Sequence, residues 1–160
     1  MNTLILYASK HGSSEKAVQM LKEKLKGQTT LLNLSKEKKT TDLKPFDNLV
    51  IGGSIHAGQI QSVVKNFCTL HQTQILEKPF GLFLCCMDAE KASLQFEQVY
   101  PEILRNASLA NGLFGGEFLL DRMNFMERFL VKKIAKVTQS VSQINDAAIH
   151  QFAQKFNSLS

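Results

Sequence analysis

Short apolar runs alternate with amphipathic stretches along the whole chain, and this alternation constrains the fold more than any other feature. Thr3 to Ala8, Thr29 to Leu34, Leu49 to Ile51 and Phe80 to Cys86 read as strands, with a fifth inside Leu109 to Phe118. Between them, Ser14 to Lys26, Ser62 to Gln72 and Glu90 to Ala107 read as helices, the last interrupted at Pro101. Asn124 to Val137 and Ile144 to Phe156 close the series as helices. Strand and helix in strict turn imply a parallel sheet covered on both faces, an α/β three-layer sandwich. Thr29 to Leu34 is polar enough for an edge strand. Phe80 to Cys86 is apolar on both faces, as a central parallel strand must be. Gly52-Gly53 is expected to stop the third strand, and Ser35 to Lys44 is a lysine-rich loop.

The junction between the first strand and the first helix is rich in chemistry. Ser9-Lys10-His11-Gly12-Ser13-Ser14 places small and hydroxyl side chains where a helix leaves its first backbone N–H groups unpaired. Those groups, the hydroxyls and the positive end of the helix dipole suit a phosphate monoester. Lys10 and His11 add charge beside it or stand as exposed loop residues. The competing reading is an ordinary Ser-capped helix start.

Other phosphate motifs are excluded by position. A Walker loop needs its lysine after the second glycine, whereas Lys10 precedes Gly12, and no Gly-x-Gly-x-x-Gly follows the first strand. A receiver domain needs acids where Ser9 and Gly52-Gly53 stand. The chain of 160 residues suffices for a core of its own, and it reads as one domain, 1–160. No apolar stretch reaches the length of a membrane span and no leader pattern is seen, so a cytoplasmic location is expected. Cys68, Cys85 and Cys86 are too few and too apolar in context for a disulfide framework, and no His/Cys cluster has metal-ligand spacing.

Ser9-x-x-Gly12-Ser13-Ser14 resembles the FMN phosphate loop of flavodoxins. Gly52-Gly53-Ser54-Ile55-His56-Ala57-Gly58 and Met87-Asp88-Ala89-Glu90 stand where that family contacts the isoalloxazine ring. Val50 to Gly58, Gly115-Gly-Glu-Phe118 and Met123 to Ile134 are most similar to the branch of menaquinone-dependent protoporphyrinogen IX dehydrogenases. The resemblance implies a flavodoxin-like five-stranded sheet of order 2-1-3-4-5 and an inserted basic helix within about 117–138. It also implies FMN as cofactor, a role in heme biosynthesis, and a quinone or another acceptor. Phosphate contacts would fall to Ser9, Lys10, His11, Gly12, Ser13 and Ser14. Ring contacts would come from Gly53, Ser54, Ile55, His56, Ala57, Gly58, Met87, Asp88 and Ala89, with Gly53 and Gly58 giving the peptide beside the flavin freedom to turn. No catalytic acid or base is assigned.

The net charge is +5, and much of it is local: Arg122, Arg128, Lys132, Lys133 and Lys136 face one acid, Glu127. On a helical wheel Phe125, Met126, Phe129, Leu130, Ile134 and Val137 fall within one half, with the basic residues on an adjoining arc. This is a core-packing helix with a solvated side, or a surface for an anionic membrane or an apolar substrate bearing carboxylates. Arg122, Arg128, Lys132 and Lys133 are the candidate residues of that surface. No nucleic-acid reading module is recognisable. Three functions compete: an FMN oxidoreductase acting on a small molecule, a flavodoxin-type electron carrier docking on protein partners, and a non-catalytic interaction domain without cofactor, against which the retained Ser9, Gly12, Ser13 and Ser14 speak. Positive charge weighs against the carrier, because shuttle flavodoxins are generally acidic.

Overall fold

A computed structural model describes the chain apart from residues 38–40, 57 and 137. The strands are β1 (Asn2–Tyr7), β2 (Gln28–Asn33), β3 (Asn48–His56), β4 (Gln59–Ile60), β5 (Phe80–Cys85), β6 (Ala110–Leu113), β7 (Glu117–Phe118) and β8 (Val141–Ser142). The helices are α1 (Ser13–Lys24), α2 (Ser62–Leu70), α3 (Gln72–Leu76), α4 (Ala92–Val99), α5 (Glu102–Ala107), α6 (Phe125–Ile134) and α7 (Asp146–Leu159). A 3-10 turn covers Leu120–Arg122.

The central sheet runs β2-β1-β3-β5-β6, all parallel, and β4 folds back antiparallel on the end of β3. With β4 set aside, the five main strands take the expected order 2-1-3-4-5. Alternation along β1 divides the core. Leu4 and Leu6 pack with Ile51, Leu84, Val64 and Phe96 under α2–α5, while Ile5 and Tyr7 pack with Val50, Leu21 and Phe152 under α1 and α7. Each fully buried aliphatic side chain contributes roughly 1.5–3 kcal/mol, so both faces of the sheet anchor the loops above it.

Several boundaries differ from expectation, three of them near the site or its supports. β3 continues through Gly52 and Gly53 to His56, because the glycines serve packing and not termination: a Cβ on Gly52 would lie 2.5 Å from the Phe83 ring. The helix expected over Ser62–Gln72 breaks at His71 and restarts as α3. α6 ends at Ile134, and Lys136 turns left-handed at φ 56°, so the expected end at Val137 is not reached; Val137 itself lies outside the described residues. Residues 38–40 of the lysine-rich loop also lie outside them.

After β6 the chain leaves the sheet. Gly115 takes φ 70°, and β7 pairs antiparallel with β8, bracketing the 3-10 turn and α6 as an excursion above the carboxyl ends of the strands. Asn124 accepts a hydrogen bond from the Glu127 N–H at 2.9 Å, and the Glu127 carboxylate accepts one from the Asn124 N–H at 3.1 Å. This reciprocal capping box starts α6.

Candidate functional site

The phosphate-loop candidate is built on Gly12. Its φ of 101° is a left-handed conformation that an L side chain rarely adopts, and it serves as N-cap of α1 without any side-chain cap. The Ser-capped alternative is therefore not what the chain forms. Ser9 Oγ instead accepts from the Gly12 N–H at 3.0 Å and braces the loop. The Ser14 hydroxyl is wholly buried in the first turn of α1, near the Cys85 thiol, and has no hydrogen-bond partner of ordinary geometry among the described residues. A buried hydroxyl without a partner is costly, and an acceptor oxygen at the open helix end would relieve that cost. Ser13 Oγ donates to the Glu117 carbonyl at 3.2 Å, so that hydroxyl has to turn to meet a ligand.

Lys10 and His11 are not free loop residues. His11 is buried, donates through Nδ1 to the Arg122 carbonyl at 3.0 Å, and sets Nε2 3.3 Å from the Glu127 carboxylate. Lys10 pairs with the other oxygen of Glu127. Hydrogen bonds from Lys10 hold the Glu127 carboxyl below its usual range, against slight desolvation. The excursion after β7 is thereby tied to the phosphate loop.

Glu117 forms a second tie. Its side chain, 3 % exposed, accepts from Lys16 Nζ at 2.7 Å and Ser142 Oγ at 2.5 Å. Burial alone would push its carboxyl up, but those hydrogen bonds and the charges of Lys16 and Arg122 outweigh burial and hold it below the ordinary range.

Above the carboxyl ends of β1, β3 and β5 lies a cavity of about 640 Å³. His11 and Ser13 line it from the phosphate loop, Ser54 to His56 and Gly58 from β3 and its hairpin, and Met87 and Asp88 from the loop after β5. Glu127, Leu130, Val131 and Ile134 of α6 form the remaining wall. The sequence-predicted loops thus converge.

Several predicted residues take other places. Gly53 pairs with Leu84 in the ladder, which fixes the peptide expected to turn, whereas Gly58 stands at φ 77° in open space and keeps that freedom. Ser54 is held by Gln61, whose amide oxygen accepts from its N–H at 3.2 Å and whose amide nitrogen donates to its hydroxyl at 3.0 Å. Ala89 does not line the cavity, and Ala57 lies outside the described residues. His56 meets His11 edge-on, with ring centroids 5.2 Å apart. Burial, then the charges of His11 and Lys10, lower its pKa despite the opposing pull of Glu127.

The basic set divides. Arg122 lies on the 3-10 turn against Gly12, where a Cβ would sit 2.4 Å from its Nη1. Arg128 is half-buried, its Nε donating to the Leu120 carbonyl at 3.1 Å. Lys132 and Lys133 are exposed on α6. The apolar residues do not form one face either. Leu130, Val131 and Ile134 turn toward the cavity, while Phe125 and Phe129 are 83 % and 57 % exposed and share a face with Lys132 at helical spacing. The 100° wheel could have separated these two groups; the notion of one apolar half merged them. Asn124-x-x-Glu127 was the legible signal for the capping box. Nothing in the sequence announced Glu127 as partner of Lys10 and His11, or Glu117 as partner of Lys16.

A family model described as a flavodoxin domain matches residues 4–145. The chain belongs to the flavodoxin-domain family. Among curated relatives of this flavodoxin-domain chain is a protoporphyrinogen IX dehydrogenase (quinone) of Leishmania major, 23 % identical, over 98 % of this chain and 74 % of the relative. Among solved structures, a short-chain flavodoxin associated with a non-canonical PDU bacterial microcompartment superposes with TM-score 0.62 at 13 % identity, over 99 % of this chain and 97 % of that one. A Fusobacterium nucleatum flavodoxin bound to flavin mononucleotide gives TM-score 0.51 at 13 % identity, each chain covered to 69 %. At these identities the structural likeness shows the fold.

Proposed function

We propose that the chain is an FMN-dependent oxidoreductase that takes electrons from a small apolar substrate bound under α6. The observation that carries this reading is the convergence of the phosphate loop, two loops at strand ends and α6 on one cavity of about 640 Å³. FMN fits the residues present: the uncapped start of α1 and the Ser14 hydroxyl would hold its phosphate, and His56 and Met87 would line the site of its ring. When bound, the cofactor supplies the electron-accepting chemistry. Gly58 allows the peptide beside the ring to reorient, Gln61 fixes Ser54, and Leu130, Val131 and Ile134 limit the access of water.

Protoporphyrinogen as substrate, a quinone as acceptor and a role in heme biosynthesis are supported by the name of the curated relative and by the apolar wall of α6. The runner-up is a flavodoxin-type carrier for redox partner proteins. A wall built by α6 over the cavity favours a small-molecule substrate over an open ring edge, as does the net charge of +5.

The same helix supports a proposed location. No helix among the described residues is long and apolar enough to cross a membrane. The outward Phe125 and Phe129 with Lys132 and Lys133 suit a peripheral contact with the anionic, cytoplasmic face of a membrane. Anaerobic turnover of FMN-loaded protein with protoporphyrinogen and a menaquinone analogue tests the activity. Oxidation of the porphyrinogen coupled to quinone reduction is expected. Flavin reduction by a protein partner, with no porphyrin formed, would favour the carrier.

A further inference from the structure

We propose that Arg122, carried by the inserted segment, is the cation of the phosphate loop, so that binding a phosphate monoester and closing the insertion over the cavity are one coupled event. This rests on the flavin reading above.

The loop asks for an anion on two independent grounds. α1 is 12 residues long and begins at Gly12 with no side-chain cap. Ser14 Oγ, fully buried in that first turn, has no hydrogen-bond partner of ordinary geometry among the described residues. Three cations approach the loop, and two are already engaged: Lys10 by Glu127 and Lys16 by Glu117. Arg122 makes no ion pair among the described residues. Its guanidinium reaches the Gly12 backbone so closely that a Cβ there would meet Nη1 at 2.4 Å.

The same residue grips the loop a second time through its carbonyl, which accepts from His11 Nδ1 at 3.0 Å. A second cavity, about 530 Å³, lies between α1 and the insertion; Gly12, Lys16, Glu117 and Arg122 are among its walls. Glu15, which also lines it, and Glu117 are the carboxylates a bound phosphate would compete with for the guanidinium. A planar guanidinium can meet two phosphate oxygens at once, which a lysine cannot.

Arg122 lies three residues before the first residue of α6. A phosphate that holds Arg122 therefore adds to the link from His11 and Lys10 to Glu127 and steadies the cavity wall. By linkage, a ligand resting on α6 tightens the phosphate by the same factor.

The test compares FMN with riboflavin, which has the same ring and ribityl chain but no phosphate, on wild type, Arg122→Gln and Arg122→Lys. Arg122 is exposed, so both variants should fold. Arg122→Gln is expected to weaken FMN about tenfold or more and leave riboflavin within about twofold, with partial recovery in Arg122→Lys. FMN, and not riboflavin, should slow proteolysis of segment 119–136 in wild type, and the protection should vanish in Arg122→Gln. Unchanged FMN affinity in Arg122→Gln overturns the proposal while leaving the flavin reading intact. Equal weakening of both flavins also overturns it, since the residue would then act only on the ring site. Failure of wild type to bind either flavin removes the flavin reading, and this inference with it.

Discussion

His11 Nε2 lies 3.3 Å from the Glu127 carboxylate, which joins the loop after β1 to the first turn of a helix more than a hundred residues later. Lys10 shares that carboxylate, and Glu127 also completes the capping box of α6. One side chain thus starts the helix and fastens it to the phosphate loop. Replacing Asn124 by alanine should loosen only the start of α6, at a cost of about 1 kcal/mol. Hydrogen exchange should show faster amides over residues 125–134 and unchanged amides in β1, β3 and β5. Uniform acceleration across the sheet would mean that α6 supports the core, contrary to its having no buried residue.

Ser14 sets stability against binding. Ser14→Ala removes a buried hydroxyl without a partner, so the flavin-free protein should gain about 1 kcal/mol in urea denaturation. The same change should weaken FMN about tenfold or more through loss of one charged hydrogen bond. Lower stability together with unchanged FMN affinity would mean that the hydroxyl has a structural partner and no ligand. Ser13→Asp, which sets a carboxylate at the same helix start, should abolish FMN uptake in folded protein; unchanged affinity by titration would contradict the placement.

Glu117 predicts an acid limb. Its carboxyl titrates below the usual range when folded, so the folded state binds fewer protons there than the unfolded one. The stability it contributes is fully present above the unfolded carboxylate pKa and is lost as pH falls through the lower folded value. Glu117→Gln should therefore destabilise the protein at pH 7, and the difference from wild type should shrink toward zero in strong acid. A pH-independent difference would show that the charge of Glu117 is not what Lys16 and Ser142 hold.

His56 adds a second loss of stability on acidification, at higher pH than Glu117. Its folded pKa lies below the ordinary imidazole value, so the unfolded chain takes up its proton first and stability drops as pH falls from 7 through that window. NMR titration should place the His56 midpoint below the ordinary imidazole value. Adding Glu127→Gln should lower it further, because the one neighbour that favours the charged ring is gone. A rise on that substitution would contradict the arrangement.

Phe125, Phe129, Lys132 and Lys133 predict a membrane contact. Lys132→Glu with Lys133→Glu should cut sedimentation with vesicles containing anionic phosphatidylserine and leave binding to neutral vesicles unchanged. Equal sedimentation of both forms with the anionic vesicles would remove the membrane role from this face.

Much of the fold was legible because alternation reports burial directly. β1 reads as a continuous apolar run since both of its faces are covered, and Pro101 marks the start of α5. β3 was cut short because glycine usually ends a strand, whereas Gly52 makes room for the ring of Phe83, a partner thirty-one residues away. At the site, Ser9 to Ser14 could be found from local spacing. The roles of Arg122, Glu117 and Glu127 could not, since each depends on where the β7–β8 excursion lands. Arg122, a surface residue in the sequence reading, is exposed and also packs against Gly12 of the phosphate loop.

Calorimetric titration of folded, flavin-free protein with FMN tests the central claim most directly. Saturable heat corresponding to one FMN per chain, with weaker binding of riboflavin, is the predicted result. No heat with FMN, in material whose far- and near-UV circular dichroism shows a folded α/β protein, would contradict the account.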